Sequence, residues 1–259
     1  MNDQGPVAAI TGAAAGIGWA TAQLFSRHGY RVALIDIDGP RAASRAGELG
    51  VQHLGTACDV SREEDVRRTC GEIAVRFGDR LDVLVNNAGV GSPHLPTAEQ
   101  TMESFERILS IHLTGTFLFS REAFALMAPR GGGAIVNISS IAGLSGLPRR
   151  NAYGAAKAGI ATMTKSLACE WASSGVRVNA VAPGFVATEL VNKLEADGFV
   201  DKSRLERRIP MGRLAMPDEI AAAIHFLSSP AASYITGTIL SVDGGWTAFG
   251  DAGDASRAD

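Results

Sequence analysis

A tyrosine and a lysine four residues apart are the first candidates for acid–base chemistry in this chain. Tyr153 and Lys157 stand at the start of a predicted helix, so their side chains share one face. A phenol with a pKa of about 10 is a weak acid–base group at neutral pH, but an ammonium group one turn away favours the phenolate. Ser140 follows a predicted strand thirteen residues before Tyr153, and its hydroxyl could bond the reacting oxygen. Together the three residues predict proton transfer to or from a hydroxyl or carbonyl group.

A glycine-rich loop near the start of the chain is a candidate phosphate site. It follows a predicted strand, Val7–Thr11, and opens a helix. Glycines there permit a tight turn and a close approach of the backbone, while the helix N-terminus supplies free N–H groups. An ordinary strand-to-helix turn is the alternative for such a loop. Its place after the first strand favours a dinucleotide site formed by Gly12, Ala15, Gly16, Ile17 and Gly18.

An acidic residue, Asp36, ends the second predicted strand, 24 residues after Gly12. A carboxylate in this position hydrogen-bonds the hydroxyls of an adenosine ribose and would repel a 2′-phosphate. At about 4 Å and an effective dielectric of about 20, that repulsion is at most about 4 kcal/mol. Ala13–Ala15 and Ile37, which is itself a candidate cofactor-binding residue, offer no basic side chain to offset it. The sequence therefore favours NAD over NADP, unless Asp36 is a surface residue that caps the next segment.

The elements that must position these residues alternate along the chain. Mostly continuous apolar runs predict strands at Val7–Thr11, Arg31–Asp36, Val51–Ala57, Leu81–Asn86, Ala134–Ser139, Val176–Ala182 and Ile239–Val242. Helical spacing of apolar residues covers Gly16–His28, Ser61–Phe77, Met102–Met127, Tyr153–Ser173 and Pro217–Leu227. Ser61 with Glu64 predicts a capping box, and Pro217 suits a first helical turn. Asp59 and Val60, just beyond the third strand, are candidates to hold the edge of an adenine ring.

This alternation predicts an α/β fold, a Rossmann-like doubly wound parallel sheet of about seven strands flanked by helices. We expect a single domain over residues 1–249, with a substrate lid at 188–210 and a C-terminal tail at 250–259.

Composition narrows the class of protein. The chain has 259 residues, 46% hydrophobic and 20% charged, as in ordinary globular proteins. A net charge of −3 without a basic run disfavours nucleic-acid and membrane-surface binding. Three scattered cysteines indicate neither a disulfide framework nor a metal site. No stretch reaches the ~20 apolar residues of a membrane span. We therefore expect a cytoplasmic protein with no bound metal.

The motifs in their order resemble those of the short-chain dehydrogenase/reductase family, in its single-domain branch, over nearly the whole chain. They are Thr11–Gly18, Asn86–Gly89, Ser140, Tyr153 with Lys157, Pro183-Gly184 and Val242–Gly245. The resemblance implies that Tyr153 is the general acid–base and that Ser140 positions the substrate. It implies that Lys157 lowers the pKa of Tyr153 and binds the nicotinamide ribose. It further implies a homotetramer, and a cofactor lined by Asn87, Ala88, Gly89, Pro183, Gly184, Val186 and Thr188.

One position departs from the family pattern. Where the family usually has Asn-Leu-x-Gly, this chain has His112-Leu113-Thr114-Gly115. In the family, this position helps to hold a water that links the lysine to solvent, largely through the main-chain carbonyl. His112 is either a replacement that keeps this carbonyl in place or a titrating imidazole in the proton relay. A titrating imidazole would add pH dependence near pH ~6–7.

Several functions remain open at this point. One interpretation is NAD-linked oxidation of a polyol, sugar alcohol, diol or hydroxy acid. The other is reduction of a 3-oxoacyl thioester on a carrier protein, which Asp36 and the lack of a basic cluster at residues 130–134 disfavour. A non-catalytic NAD-binding regulator or a methyltransferase would need neither Tyr153 nor Lys157. Arg149 and Arg150 are candidates to hold an anionic substrate group, or else a solvated pair.

Overall fold

Seven parallel strands form one sheet in the computed structural model, which describes residues 5–91, 95–189, 191, 201–250 and 254–255. The strand order is β3-β2-β1-β4-β5-β6-β7. The bounds are β1 Val7–Thr11, β2 Arg31–Asp36, β3 Leu54–Ala57, β4 Val83–Asn86, β5 Gly133–Ile138, β6 Val176–Pro183 and β7 Ile239–Val242. The central strands β1, β4 and β5 are almost fully buried, as continuous apolar runs in a parallel sheet require.

Helices cover both faces of the sheet. They are α1 Gly16–Arg27, α2 Gly39–Leu49, α3 Glu63–Phe77, α4 Met102–Leu109, α5 Gly115–Met127, α6 Asn151–Trp171, α7 Lys202–Arg208 and α8 Pro217–Ser228. Apolar side chains of α3, α5 and α6 form one core with the sheet, and those of α1, α2 and α8 form a second core on the other face. The predicted doubly wound fold is confirmed.

The predicted helix Met102–Met127 is confirmed with one irregularity. A π-helical segment, Ser110–Thr114, joins α4 to α5. Such a segment inserts an extra residue into the helical turn and frequently marks a functional site. In this chain it contains His112.

Two local predictions were wrong, and one helix was not predicted. The third strand begins at Leu54, because Val51 lies 93% exposed outside the sheet. Helix α3 begins at Glu63 without a side-chain cap, and the Ser61 hydroxyl instead donates to Asp59 Oδ1 at 2.6 Å. Helix α2 is the unpredicted one, because its buried positions Ala42 and Ala46 form too small an apolar face to give a helical pattern.

Parts of the predicted lid and tail can be placed. The described residues leave out 190 and 192–200 of the lid and 251–253 and 256–259 of the tail. The lid residues Leu190, Leu194 and Phe199 are among those left out. The rest of the lid contains α7, followed by the buried Ile209. Within the described residues, no helix combines the length and apolarity needed to span a membrane.

Candidate active site

A cleft of about 620 Å³ opens at the carboxyl ends of the strands, where the strand order reverses between β1 and β4. Ligands of open parallel sheets bind at such a reversal. The cleft brings together every predicted site residue except Gly18. Its predicted members are Gly12, Ala15, Gly16, Ile17, Asp36, Ile37, Asp59, Val60, Asn87, Ala88, Gly89, His112, Ser140, Tyr153, Lys157, Pro183, Gly184, Val186 and Thr188.

The glycine loop has the geometry of an anion cradle. Gly12 and Gly16 have φ values of +64° and +54°, which disfavour other residues. A Cβ on Gly18 would lie 2.0 Å from the Gly12 carbonyl oxygen, so Gly18 permits α1 to pack on the loop. Ala15 offers no capping side chain and the first turn of α1 has no acid. The first N–H groups of α1 are therefore available to a pyrophosphate, and the residues of the glycine loop fit a dinucleotide.

The loop is tied to the turn after β4. The Asn87 amide Nδ2 donates to the carbonyl oxygens of Thr11 and Gly12 at 2.9 and 3.0 Å. Thr11 Oγ1 accepts from the backbone N–H groups of Asn87 and Ala88, both at 3.0 Å. Two chain segments about 75 residues apart thus form one wall of the cleft.

Asp36 lies at the end of β2, on the rim of this wall. Its carboxylate accepts from the backbone N–H of Ala14 at 3.0 Å and from that of Asp38 at 3.1 Å. Each carboxylate oxygen has a second lone pair for a ligand hydroxyl. Ile37, 76% exposed, and Val60 add apolar surface at the same end of the cleft, which suits an adenine ring. Asp59 also lines this end, with Oδ1 bonded to Ser61.

Ser140 and Tyr153 meet at the other end of the cleft. Ser140 directly follows Ser139 at the end of β5, and its Oγ accepts from the Ala142 N–H at 3.1 Å. Burial raises the pKa of the Tyr153 phenol, while a hydrogen bond with Ser140 and the positive charge of Arg150 act to lower it. A hydroxyl pair of this kind can hold one substrate oxygen and exchange a proton with it.

Lys157 is buried one turn beyond Tyr153, with 4% of its surface exposed. Its Nζ donates to the Ile138 carbonyl oxygen at 2.5 Å and lies 5.6 Å from the centre of the Tyr153 ring. Burial lowers the pKa of Lys157 to about 7. The positive charge of Arg150 acts to lower the pKa of Tyr153, and the contribution of Lys157 that the resemblance implies stays a prediction.

The neighbouring serine has a different partner. Ser139 Oγ donates to the main-chain carbonyl of Lys157 at 2.9 Å and so fastens α6 to the end of β5. Because the Ser139 hydroxyl is engaged in this way, Ser140 is the serine that contacts Tyr153.

His112 lies beside Tyr153 and is 3% exposed. The two rings meet edge to face with their centroids 5.2 Å apart. Burial and the charge of Lys157 lower the pKa of His112 to about 3. An imidazole with this pKa is neutral at pH ~6–7, which favours the first of the two alternatives, a replacement that keeps the main-chain carbonyl in place. A Cβ on Gly89 would lie 2.4 Å from the imidazole, which explains the glycine at that position.

The segment after β6 forms the opposite wall. Val186 pairs with Ala215 in a short parallel bridge, and the Thr188 N–H donates to the Val186 carbonyl. The Thr188 methyl group lies 3.6 Å from the position a Cβ on Gly16 would take, so this wall approaches the glycine loop closely.

Sequence reasoning missed nine residues that line the cleft. They are Cys58, Val90, Arg107, Ile111, Ile138, Ser139, Phe185, Glu189 and Val191. Arg107 and Ile111 are one turn apart on the helix that leads to His112, a spacing that could have revealed them. Across the described ranges, no group of three His, Cys, Asp or Glu side chains is arranged to hold a metal ion.

Comparisons with known proteins concern the family and the overall fold of the chain. A family model described as enoyl-(acyl carrier protein) reductase matches residues 12–247. The chain is 46% identical to a cis-4-hydroxycyclohexanecarboxylate dehydrogenase of Sinomonas cyclohexanicum, covering 93% of this chain and 96% of that protein. It is 43% identical to a D-threitol dehydrogenase of Mycolicibacterium smegmatis, covering 94% of this chain and 93% of that protein.

Two further matches bear on length and fold. An uncharacterised short-chain type dehydrogenase/reductase of Sinorhizobium fredii is 48% identical over 98% of this chain, which spans only 46% of that longer protein. A solved structure of 3-ketoacyl-(acyl-carrier-protein) reductase from Brucella melitensis, complexed with NADH, superposes with a TM-score of 0.88. It is 35% identical to this chain and covers 95% of this chain and 100% of its own.

Proposed function

Because the chain belongs to the short-chain dehydrogenase/reductase family and is an oxidoreductase acting on CH–OH groups, we propose that it interconverts a secondary alcohol and its ketone with NAD(H). The observation that carries this proposal is the meeting of Ser140, Tyr153 and Lys157 with the glycine loop in one cleft. A regulator that only binds NAD would not need the buried lysine beside the phenol.

The residues of the chain carry out the proton chemistry. A bound nicotinamide ring supplies the acceptor or donor of the hydride. Ser140 orients the substrate oxygen by a hydrogen bond. Tyr153 as phenolate takes the hydroxyl proton during oxidation, and as phenol it returns a proton to the carbonyl oxygen during reduction. Lys157, whose Nζ donates one hydrogen bond to the Ile138 carbonyl oxygen, would hold the cofactor ribose with a remaining N–H group and pass protons onward.

Asp36 supports NAD rather than NADP as the cofactor. Its half-buried carboxylate lies at the rim of the cleft, where it can accept bonds from ribose hydroxyls and repel a 2′-phosphate. The first basic residue after it in the chain, Arg41, places Nη2 3.4 Å from Glu189 Oε2. The neighbour bound to NADH is consistent with this choice.

We propose a polyol, sugar alcohol, diol or hydroxy acid as the substrate. The hydroxy-acid dehydrogenase and the threitol dehydrogenase among the relatives support this class. A 3-oxoacyl-[acyl-carrier-protein] reductase role is the second candidate, favoured by a human relative of that name, 40% identical over 92% of this chain and 97% of that protein. We further propose a cytoplasmic homotetramer.

The test is formation of NADH or NADPH by the purified enzyme at high pH with polyols, diols, hydroxy acids and secondary alcohols. We expect turnover of at least one of these classes, with NAD clearly preferred to NADP. A 3-oxoacyl thioester with NADPH serves as the competing substrate. Faster reduction of the thioester than oxidation of every alcohol would favour the second candidate. NADH binding without any turnover would favour a regulator.

A further inference from the structure

One half-buried arginine beside the active site has no acceptor within the part of the chain that the structure describes. Arg150 directly precedes helix α6, and its guanidinium forms neither a hydrogen bond nor an ion pair there. Every other half-buried arginine of the described residues donates to an oxygen atom of the chain. These arginines are Arg31, Arg41, Arg45, Arg80, Arg121, Arg177 and Arg208. A guanidinium carries five N–H donors, so the exception indicates an acceptor that a ligand supplies.

Arg150 and Tyr153 share the first turn of α6. The Gly154 N–H donates to the Arg150 carbonyl oxygen at 2.7 Å, which closes this turn. Side chains three residues apart on a helix lie about 5–6 Å apart at Cβ. The positive charge of Arg150 acts on the pKa of Tyr153, as expected of two groups this close together. Tyr153 lines the cleft and Arg150 lies just outside its lining. A ligand group bound to Arg150 is therefore at the edge of the cleft, next to the substrate oxygen that Tyr153 holds.

The charges around Arg150 favour an anion as that ligand group. No side chain caps the N-terminus of α6, and its first turn contains no acidic residue. The free N–H groups and the helix dipole add a partial positive charge there. Three acidic residues line the cleft, and none of them serves Arg150. Asp36 and Asp59 lie at the opposite end of the cleft, and Glu189 accepts from Arg41 at 3.4 Å.

We propose that Arg150 binds the carboxylate of a hydroxy-acid substrate whose hydroxyl oxygen is held by Ser140 and Tyr153. This inference rests on the proposed function and selects the hydroxy acids from the substrate classes named there. A carboxylate offers two oxygen atoms to the planar fork of a guanidinium, whereas polyols and diols offer only neutral hydroxyl groups. A substrate held at both ends has one orientation in the cleft.

Matched substrates test the charge of the ligand. The panel contains 2-hydroxybutyrate, 3-hydroxybutyrate and 4-hydroxypentanoate, each with its primary amide, together with neutral polyols and diols. The amide keeps the shape of the acid and removes its charge. We expect the wild-type enzyme to have its highest kcat/KM for one of the acids, at least about tenfold above that for its amide. A higher kcat/KM for a neutral polyol or diol than for every acid would overturn the proposal.

Three variants test the guanidinium itself. In Arg150→Gln, kcat/KM for the acid should fall by about 10- to 100-fold, mainly through KM, while kcat/KM for the amide changes by less than about threefold. Arg150→Lys keeps the charge without the fork and should recover part of the loss. Arg149→Gln is the matched control, because it removes the adjacent, exposed positive charge. This control should keep kcat/KM for the acid within about twofold of wild type.

Other results with these variants would overturn the proposal. Equal losses for acid and amide in Arg150→Gln would mean that Arg150 acts only through Tyr153. Equal losses in Arg149→Gln and Arg150→Gln would mean that the two charges attract anions without a specific contact. A weaker Kd for NADH in Arg150→Gln would assign the guanidinium to the cofactor.

A binding measurement separates this inference from the proposed function, because it needs no turnover. Butyrate, titrated by calorimetry into the wild-type enzyme saturated with NAD, should bind at least about tenfold more tightly than butyramide. The difference should disappear in Arg150→Gln. If that variant does not fold, equal affinities of butyrate and butyramide for the wild-type enzyme would overturn the role of Arg150. Tighter binding of butyrate without turnover of any alcohol would refute the proposed function alone.

Discussion

Replacing Asp36 by asparagine should shift the cofactor preference from NAD toward NADP. The substitution removes the negative charge that a 2′-phosphate would meet at the end of β2. Asparagine has nearly the same size and keeps one acceptor oxygen for the backbone N–H of Ala14 or of Asp38. The variant therefore changes the charge of the rim with little change in its shape.

The size of the shift follows from the position of the carboxylate. Two unit charges 4 Å apart interact by about 1 kcal/mol in water and about 4 kcal/mol at an effective dielectric of about 20. Asp36 is half-buried at the rim of the cleft, so we take the lower part of this range, about 1.4 kcal/mol. The ratio of kcat/KM for NADP to that for NAD should then rise at least about tenfold. Asp36→Asn also loses one hydrogen bond to a backbone N–H. This loss should lower the free energy of unfolding by about 0.5–1.5 kcal/mol, whichever cofactor is used.

Initial rates with each cofactor, at saturating alcohol, give this ratio. The control is Glu48→Gln on α2, which removes one negative charge from an exposed side chain paired with Arg45 and should leave the ratio unchanged. A ratio for Asp36→Asn within about twofold of wild type, well below the tenfold change expected for one removed charge, would refute the electrostatic reasoning. The preference for NAD over NADP would then have to depend on the shape of the cleft at its rim instead of the charge of Asp36.

Three other predictions concern the acid–base, the loop and pH. Tyr153→Phe should lower kcat by about 100- to 10,000-fold. The Kd for NADH, measured by fluorescence titration, should stay unchanged. Retained turnover would show that Tyr153 is not the acid–base. Gly18→Ala, whose Cβ would lie 2.0 Å from the Gly12 oxygen, should destabilise the fold by about 1–3 kcal/mol in urea titrations and weaken NADH binding. Burial lowers the pKa of Lys157 from its usual 10.5 to about 7. Between these values the unfolded chain binds more protons, so the stability of the cofactor-free protein should rise with pH from 7 toward 9. Lys157→Met should lose that slope, and an identical slope in both proteins would contradict the shift.

The fold and the residues at the strand ends were predictable because they depend on repeated local signals, whereas other residues of the cleft, such as Asn87, Val186 and Thr188, were implied only by the family resemblance. Short continuous apolar runs such as β1 and β2 are typical of strands covered on both faces. Residues that follow such strands, among them Asp36 and Ser140, must gather at one edge of a parallel sheet. The glycine loop was predictable because its glycines coincide with a strand end and a helix start.

What the sequence could not predict depends on the directions of individual side chains. Ser139 and Ser140 are adjacent, and only the structure shows that Ser139 bonds the Lys157 carbonyl. The low pKa of His112 comes from burial against Gly89 and Tyr153, contacts that join three separate elements. Helix α2 was missed because alanines provide its buried face, and Ala is too common to give a periodic signal.

The hydrogen bonds of Thr11 and Gly12 with Asn87 and Ala88 determine at which step the glycine loop loses its conformational entropy. Ordering the backbone of one residue costs about 1–2 kcal/mol of conformational entropy. If the loop became ordered only when the dinucleotide binds, this cost would weaken the affinity for the dinucleotide. Because Asn87 holds the loop through hydrogen bonds of the chain itself, this entropy is lost during folding. Cofactor affinity is thereby linked to the thermodynamics of folding. A substitution that loosens β4 should weaken cofactor binding without touching the cofactor.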